Sequence, residues 1–364
     1  MKEAKPLDFE KPIFDLYEKL SHLKNDESND NYKIQHEIEK IQARLEKMKK
    51  NIYKNISPIQ TLQIARHINR PDSLSLFRLI CKRFIQLHGD RQFRDDPSII
   101  SGVCKVDDEK VLFIGHQKGH DTKENIKRNF GMPHPEGYRK ALRLMKLADK
   151  FNIPIIIFID TPGAYPGAGA EERGQAEAIA RSIQCSMEIK VPTVSIIIGE
   201  GGSGGAIALA SSNRVLMLEN AIYSVISPEG CATILWRDPS KTLQAAEAMK
   251  LSADDLLNLG VIDEVISEPV GGAHRNREEM VKNVKLSLEK NLYDLLKMDR
   301  EQIFQDRKNK FLNIGRQKGF QGKIKNSNNL VMKNNLYYDY SSLLKKYRLP
   351  IILVLIFLLV IFLL

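Results

Sequence analysis

One segment dominates the sequence: Gly199-Glu200-Gly201-Gly202-Ser203-Gly204-Gly205-Ala206. It follows the apolar run 191–198, which predicts a buried strand, and it precedes small residues that suit a closely packed helix. A glycine turn between a strand and a helix directs several backbone N–H groups at one spot, and the helix dipole adds positive potential there. The segment therefore predicts an anion or oxyanion site.

Three known motifs fit this turn. Gly199, Gly201 and Gly204 match the G-x-G-x-x-G pattern of dinucleotide-binding proteins. Gly201, Ser203 and Gly205 match the G-x-S-x-G pattern of serine hydrolases. A bare Gly-Gly turn that opens a helix is also an oxyanion hole that needs no side chain. The turn alone leaves these alternatives open, together with a glycine turn that is merely packed in a core.

The charge of the chain is unevenly distributed. Its 364 residues are enough for one large domain with appendages, and the formal net charge is +10. Residues 301–348 hold 11 of the 55 Lys and Arg residues but only 3 of the 45 Asp and Glu residues. The basic excess is mainly a property of this segment, so we expect no nucleic-acid face on the domain core.

The cysteines indicate a reducing environment. Cys81, Cys104, Cys185 and Cys231 are scattered and form no C-x-x-C pair, so neither a metal site nor a disulfide framework is predicted. The first residues show no targeting-peptide pattern. We therefore expect a cytoplasmic protein, or a protein of the plastid stroma if the chain is plastid-encoded.

Changes in hydrophobic periodicity divide the chain. Two segments with helical spacing flank the polar break 25–31 and predict an N-terminal helical hairpin over residues 1–56. Residues 57–100 are mixed and predicted to be helical, whereas beyond residue 100 short apolar strands alternate with helices, which predicts an α/β domain over 57–300. The predicted strands are 111–114, 153–159, 194–198, 215–218, 222–226 and 261–266, and the predicted helices are 136–151 and 171–189.

The last part of the sequence differs from the rest. An Asn- and Lys-rich basic linker is expected over residues 301–348. The 16 apolar residues 349–364 follow it; as a helix they would span about 24 Å, against about 30 Å of bilayer hydrocarbon. The basic residues just before the run suit a membrane anchor. A helix buried in an assembly and an extension without a role remain alternatives.

A second glycine turn, Asp160-Thr161-Pro162-Gly163-Ala164, also ends an apolar strand. Two such turns on neighbouring strands are expected to converge on one pocket, which favours an enolate-stabilising site over a hydrolase. The loop 115–137 concentrates cations and histidines, and it predicts either a face for an anionic ligand or a solvated surface.

Six motifs in register resemble a known family, the carboxyltransferase alpha subunit of the multi-subunit, bacterial-type acetyl-CoA carboxylase. The likeness runs from Leu7 to about His274. The motifs are His116-Gln117-Lys118-Gly119, Arg128-Asn129-Phe130-Gly131-Met132-Pro133, Pro135-Glu136-Gly137-Tyr138-Arg139-Lys140-Ala141-Leu142-Arg143, Asp160-Thr161-Pro162-Gly163-Ala164-Tyr165-Pro166-Gly167, the 199–206 segment, and Tyr223-Ser224-Val225-Ile226-Ser227-Pro228-Glu229-Gly230-Cys231.

The resemblance implies a crotonase-like fold and a set of partners. Members work as an α2β2 complex whose beta subunit carries a zinc ribbon and supplies most of the acetyl-CoA site. Carboxybiotin arrives on a separate biotin carboxyl carrier protein, and ATP is used by a separate biotin carboxylase. The implied reaction makes malonyl-CoA from acetyl-CoA, which is the first committed step of fatty acid biosynthesis.

The resemblance also implies roles for the glycines. Gly204 and Gly205 are expected to form the oxyanion hole for the biotin ureido oxygen, with Gly163 and Ala164 opposite. The biotin nitrogen is the implied base, so no Ser-His pair is needed. We further expect one or more cations to face the CoA phosphates or the transferring carboxylate, and the candidates are Lys118, Arg128, Lys140 and Arg143.

The two rival motifs fit the rest of the chain poorly. A serine hydrolase would need a histidine after Ser203 in chain order, and only His274 is available. A dinucleotide-binding unit would need a full βαβ crossover, but only about nine residues separate Gly205 from the next predicted strand.

Overall fold

The computed structural model describes residues 6–25 and 32–315. The predicted linker beyond residue 315 and the apolar run 349–364 lie outside these residues. Fourteen α-helices lie in the described ranges: α1 (Lys11–Asn25), α2 (Tyr32–Lys54), α3 (Pro58–Ala65), α4 (Ser73–Ile80), α5 (Thr122–Lys127), α6 (Pro135–Phe151), α7 (Ala168–Glu171), α8 (Gln175–Glu188), α9 (Ser203–Ala210), α10 (Pro228–Trp236), α11 (Thr242–Ala248), α12 (Ala253–Asn258), α13 (Arg277–Leu296) and α14 (Arg300–Asn313).

Eight strands form one mixed sheet. They are β1 (Lys82–Gln86), β2 (Ile99–Val106), β3 (Glu109–His116), β4 (Ile155–Thr161), β5 (Thr193–Gly202), β6 (Arg214–Leu218), β7 (Ile222–Ser224) and β8 (Glu264–Ile266). Their order is β1-β2-β3-β4-β5-β6-β8, and β7 pairs with the end of β5. Strand β2 runs antiparallel to both of its neighbours, β1 and β3, and β3 through β6 and β8 are parallel.

The centre of the sheet is apolar because it is covered on both faces. Every residue of β4 and β5 is buried. Because successive side chains of a strand point to opposite faces of the sheet, both faces must be covered by helices. Helices α6, α8 and α9 pack as neighbours, and α4 packs with α13. This α/β arrangement with a helical N-terminus agrees with the predicted fold class.

The N-terminal helices pair through a narrow seam. Leu16 of α1 and Leu45 of α2 are buried between them. The pair is joined to the remainder by Glu10, which is 1% exposed and accepts hydrogen bonds from Tyr53 Oη (2.5 Å) and Arg275 Nη2 (2.7 Å). These hydrogen bonds attach the N-terminal hairpin to the rest of the domain through Glu10.

Two strands were missed by the sequence patterns. The predicted helical region 57–100 contains β1 and the start of β2. Because β1 is an edge strand, most of its side chains are exposed and its sequence is basic rather than alternating. The predicted helix 171–189 is divided into α7 and α8 at Gly174, whose φ of +80° ends one helix before the next begins.

The predicted linker begins later than residue 301. Residues 300–313 form α14, and its Arg307 is fully buried. The Arg307 guanidinium donates to the carbonyls of Ser186 (2.5 Å), Ile189 (2.7 Å) and Val191 (2.7 Å), and to Asn213 Oδ1 (2.6 Å). The polar composition of α14 concealed this role, because the helix is attached to the core by the buried Arg307 and the buried Ile303 rather than by a continuous apolar stripe.

Candidate active site

The two glycine turns leave the sheet at adjacent strand ends. Strands β4 and β5 pair regularly up to Ile159 and Ile197, but the next pair is Thr161 with Gly201. Strand β5 therefore carries two extra residues at this point, which form a bulge. Asp160 stabilises the bulge, because its Oδ1 accepts the Glu200 N–H at 3.0 Å.

Beyond the Asp160 hydrogen bond, the closest approach of the two turns is between backbone atoms. A Cβ built on Gly205 would stand 2.6 Å from the carbonyl carbon of Gly163 and 2.8 Å from the Ala164 nitrogen. A Cβ on Gly202 would overlap the Pro162 carbonyl. Glycine is thus required at 202 and 205 so that one turn can approach the other. A Cβ on Gly204, by contrast, would find its nearest neighbour at 3.6 Å, on Ile179.

The N–H groups that remain available belong to a few residues. Gly204 and Gly205 lie in the first turn of α9, where no preceding turn offers them a carbonyl. In the opposite turn the Gly163 N–H is donated to Thr161 Oγ1 at 3.1 Å. The Ala164 N–H has no hydrogen-bond acceptor among the residues that the structure describes. The arrangement can therefore present N–H groups to an anionic oxygen.

Ser203 sits at the junction of β5 and α9 with a φ of +54°. This left-handed conformation resembles a nucleophile elbow, but within residues 6–25 and 32–315 no histidine hydrogen-bonds its hydroxyl. His274, the candidate base for a hydrolase, is half-buried with both ring nitrogens shielded from solvent, and it stacks on His67 with ring centroids 3.9 Å apart. The serine hydrolase alternative is not supported.

Of the four predicted cations, only Lys118 lies at the turns. Its Nζ is 2.6 Å from Asp160 Oδ1, the same oxygen that holds the β5 bulge. Its side chain is 23% exposed, so the ammonium is still within reach of a ligand. Asp160 is a further functional residue that was not among the predicted site residues, although a carboxylate between a buried strand and a glycine turn was a usable signal.

Lys140 occupies a structural position instead. Its side chain is 1% exposed, and its Nζ donates to Asp95 Oδ1 (2.5 Å) and to the carbonyls of Asp96 and Ile99 (both 2.7 Å). Burial lowers the pKa of Lys140, and the Asp95 carboxylate opposes that shift. All three ammonium protons are used within the protein, which corrects the prediction that Lys140 faces a ligand.

Arg128 and Arg143 also donate to the protein backbone. Arg128 Nη1 donates to the Pro97 carbonyl at 2.7 Å. Arg143 donates to the carbonyls of Gly89 and His88, both at 3.1 Å. Both sets of contacts fix the loop between β1 and β2, and they do not bring either arginine together with Lys118.

A buried histidine behind the turns was also missed. His116 ends β3 and is fully buried, and neither of its ring nitrogens has a hydrogen-bond partner of good geometry. Burial lowers the pKa of His116 to about 4, against a smaller opposing effect of the Asp160 carboxylate. The backbones of Phe158 and Gly205 lie beside the ring. A neutral imidazole therefore fills the space behind the first turn of α9.

Comparison with solved structures identifies the fold. Solved structures that share the fold include transcarboxylase 12S, with a TM-score of 0.53 at 16% identity over 67% of this chain and 46% of that one. A Pseudomonas malonate decarboxylase hetero-tetramer in complex with coenzyme A has a TM-score of 0.50 at 17% identity, over 58% of this chain and 85% of that one. These likenesses show that the chain has a crotonase-like fold.

The family is shown by sequence. Residues 6–315 match the family described as acetyl co-enzyme A carboxylase carboxyltransferase-like, and the chain belongs to it. The acetyl-coenzyme A carboxylase carboxyl transferase subunit alpha of Pelagibacter ubique is 56% identical over 331 residues, 90% of each chain. That of Thermus thermophilus is 52% identical over 310 residues, 85% of this chain and 98% of the relative. The resemblance given by the motifs is thereby confirmed.

Proposed function

We propose that this chain is the alpha half of a carboxyltransferase that moves a carboxyl group from carboxybiotin to acetyl-CoA and so yields malonyl-CoA for fatty acid synthesis. The observation that carries the proposal is the backbone contact of Gly205 with Gly163 and Ala164. Two glycine turns in contact form a narrow cradle of N–H donors without side chains. Such a cradle suits the ureido oxygen of biotin, where negative charge develops as the carboxyl group departs.

The chain's own residues supply binding and orientation. Gly204, Gly205 and Ala164 offer N–H groups to the developing oxyanion, and Asp160 keeps the β5 bulge in the shape that holds them in place. Preorganised donors cost no reorganisation at the moment of reaction. Lys118 supplies the cation at the turns that an incoming carboxylate needs. When bound, carboxybiotin supplies both the carboxyl group and the nitrogen base.

Partners complete the reaction. We assign the acetyl-CoA site mainly to a beta subunit in an α2β2 complex, the delivery of carboxybiotin to a biotin carboxyl carrier protein, and the use of ATP to a biotin carboxylase. No group of His, Cys, Asp or Glu residues suited to a metal ion occurs in the described part of the chain. The zinc ribbon implied for the family belongs to the beta subunit.

The reverse reaction tests the proposal directly. Malonyl-CoA decarboxylation with biocytin as acceptor is measured for this chain, for the beta subunit and for the two together. We expect activity only from the mixture, because each subunit holds part of the site. Full activity from this chain alone would overturn the division of labour, and an inactive complex would overturn the proposed function.

The compartment and the tail are separate questions. Cys81, Cys104, Cys185 and Cys231 are free thiols, consistent with the cytoplasm or the plastid stroma.

Among the described helices none has the length and apolar character needed to cross a bilayer, and the run 349–364 lies outside them. We propose that this run anchors the enzyme to a membrane. Deleting it should leave transferase activity intact and move the protein from a carbonate-resistant pellet to the supernatant; a wholly soluble full-length chain contradicts the anchor.

A further inference from the structure

Three consecutive residues beside the site adopt left-handed backbone conformations. The φ angles are +48° at Asn129, +55° at Phe130 and +80° at Gly131. Only glycine adopts this region freely, because a Cβ approaches the following carbonyl oxygen, and a run of such residues is rarer than a single one. Backbone strain of this kind persists only where the surroundings fix it, and it concentrates at functional sites.

The turn is fixed to both sides of the active site. On one side Gly131 packs against Lys118, so that an added Cβ would stand 2.8 Å from Lys118 Cγ and 3.1 Å from the Asp160 carbonyl oxygen. On the other side the Pro133 carbonyl accepts the Tyr165 N–H at 3.0 Å, directly after Ala164. The strained turn therefore adjoins the Lys118–Asp160 pair and is tied to the Gly163-Ala164 turn.

What this turn displays is an aromatic ring. Phe130 is 50% exposed, and no other aromatic ring stacks on it within the described ranges. Burying a phenylalanine side chain contributes favourably to the free energy of folding, and a ring that the backbone holds half exposed to water forgoes part of that contribution. Both the strain and the exposure are explained if the ring is covered when a ligand is bound.

We infer that Phe130 packs against the fused rings of the biotin arm when its ureido oxygen enters the Gly204-Gly205 turn; the inference rests on the proposed function. Biotin has one polar edge, the ureido group, and an otherwise apolar bicyclic body. A cradle of N–H groups satisfies the polar edge and leaves the apolar body without cover. The Phe130 ring, carried by the turn that adjoins the Lys118–Asp160 pair, would supply that cover, and Phe130 would then be a substrate-binding residue that sets specificity for the biotin arm.

The experiment uses the complex with the beta subunit and biocytin as acceptor. We expect Phe130→Ala to raise the KM for biocytin about tenfold, equivalent to about 1.4 kcal/mol of lost contact, while the KM for malonyl-CoA stays within about twofold of the wild type. Phe130→Leu should recover part of the affinity. Phe151→Ala is the matched control, since Phe151 is 61% exposed at the far end of the 17-residue α6.

Two glycine variants separate binding from stability. Asn129→Gly relieves one left-handed residue and keeps the ring, so thermal stability should rise and the KM for biocytin should not change. Phe130→Gly relieves strain as well but removes the ring, so stability should be maintained or raised while the KM for biocytin rises. A merely structural ring would instead lower stability when removed.

Failure of the inference and failure of the proposed function give different results. An active wild-type complex in which Phe130→Ala keeps the wild-type KM for biocytin overturns the inference alone. An equal rise in the KM for malonyl-CoA also overturns it, because the ring would then serve the thioester substrate. A wild-type complex without any transfer activity overturns both.

Discussion

Gly205 lies against the Gly163 peptide so closely that an added Cβ would stand 2.6 Å from its carbonyl carbon. A Cβ added to the neighbouring Gly204 would meet its nearest atom, on Ile179, only at 3.6 Å. Two adjacent glycines of one motif therefore have different reasons to be glycine. Gly205 is needed for the approach of the two turns, whereas at Gly204 only the N–H group matters.

The pair gives a matched comparison. We expect Gly205→Ala to lower kcat about a hundredfold or more, because pushing the turns apart misplaces at least one oxyanion donor. Gly204→Ala keeps its N–H group and should change kcat by less than about threefold, while a helical alanine adds about 0.5–1 kcal/mol of stability. Steady-state kinetics of the assembled complex measures both, and equal losses in the two variants would refute this assignment.

Lys118 and Lys140 should differ mainly in their effect on activity. Lys118→Met is expected to lower kcat/KM at least about tenfold, because its ammonium is partly exposed at the turns, and it should also lower stability, because the Asp160 carboxylate loses its ion-pair partner. Lys140→Met leaves the Asp95 carboxylate and two backbone carbonyls without their donor. That loss should cost about 3 kcal/mol or more of unfolding free energy.

Urea unfolding and kinetics of both variants check this contrast. Arg143→Met serves as the control cation, since Arg143 binds backbone carbonyls away from Lys118. A loss of activity in the Arg143 variant as large as in the Lys118 variant would show that charge at the turns is not what matters.

One fully buried histidine and one half-buried histidine predict acid sensitivity. Burial lowers the pKa of His116 to about 4 and that of His274 to about 3, where the adjacent His67 contributes further. An unfolded histidine has a pKa of about 6.5. Between pH 6.5 and about 4 the unfolded state therefore binds up to two more protons than the folded state, so stability is lost as the pH falls through this window.

The expected slope is up to about 2.7 kcal/mol of unfolding free energy per pH unit from these two groups. Urea unfolding at pH 7.5, 6.5, 5.5 and 4.5 measures it. His116→Phe and His274→Phe should each remove about one proton from the difference, and an unchanged slope in both variants would contradict the assignment.

The enzyme body should end with α14. A chain that stops at residue 315 should keep full stability and activity with the beta subunit.

Arg307→Met, by contrast, removes the donor for three buried carbonyls and should lower the free energy of unfolding by about 3 kcal/mol or more. Lys308→Met is the control, because Lys308 is exposed and its substitution should stay within about 0.5 kcal/mol. Equal effects at 307 and 308 would place the end of the body before α14.

Sequence patterns predicted the centre of this molecule better than its margins. The buried strands β4 and β5 and both glycine turns follow from apolar runs and small residues. Edge strand β1 and helix α14 were missed because neither carries an apolar pattern. The burial of Lys140 was also invisible, since a lysine on an amphipathic helix normally faces water. The strained turn at 129–131 depends on contacts from Lys118 and Asp160, which no local pattern encodes.

The attachment of the N-terminal hairpin through Glu10 affects the order of events during synthesis of the chain. Glu10 is buried by Tyr53 and Arg275, and the arginine lies 265 positions after it in the chain. At about 5–20 residues per second, a ribosome needs about 13–53 s to reach Arg275 once Glu10 has been added. Throughout that interval Glu10 has no ionic partner from the later part of the chain. Its attachment is therefore a late event in biosynthesis, and nascent chains offer this hairpin to chaperones or to the other subunit before the sheet is complete.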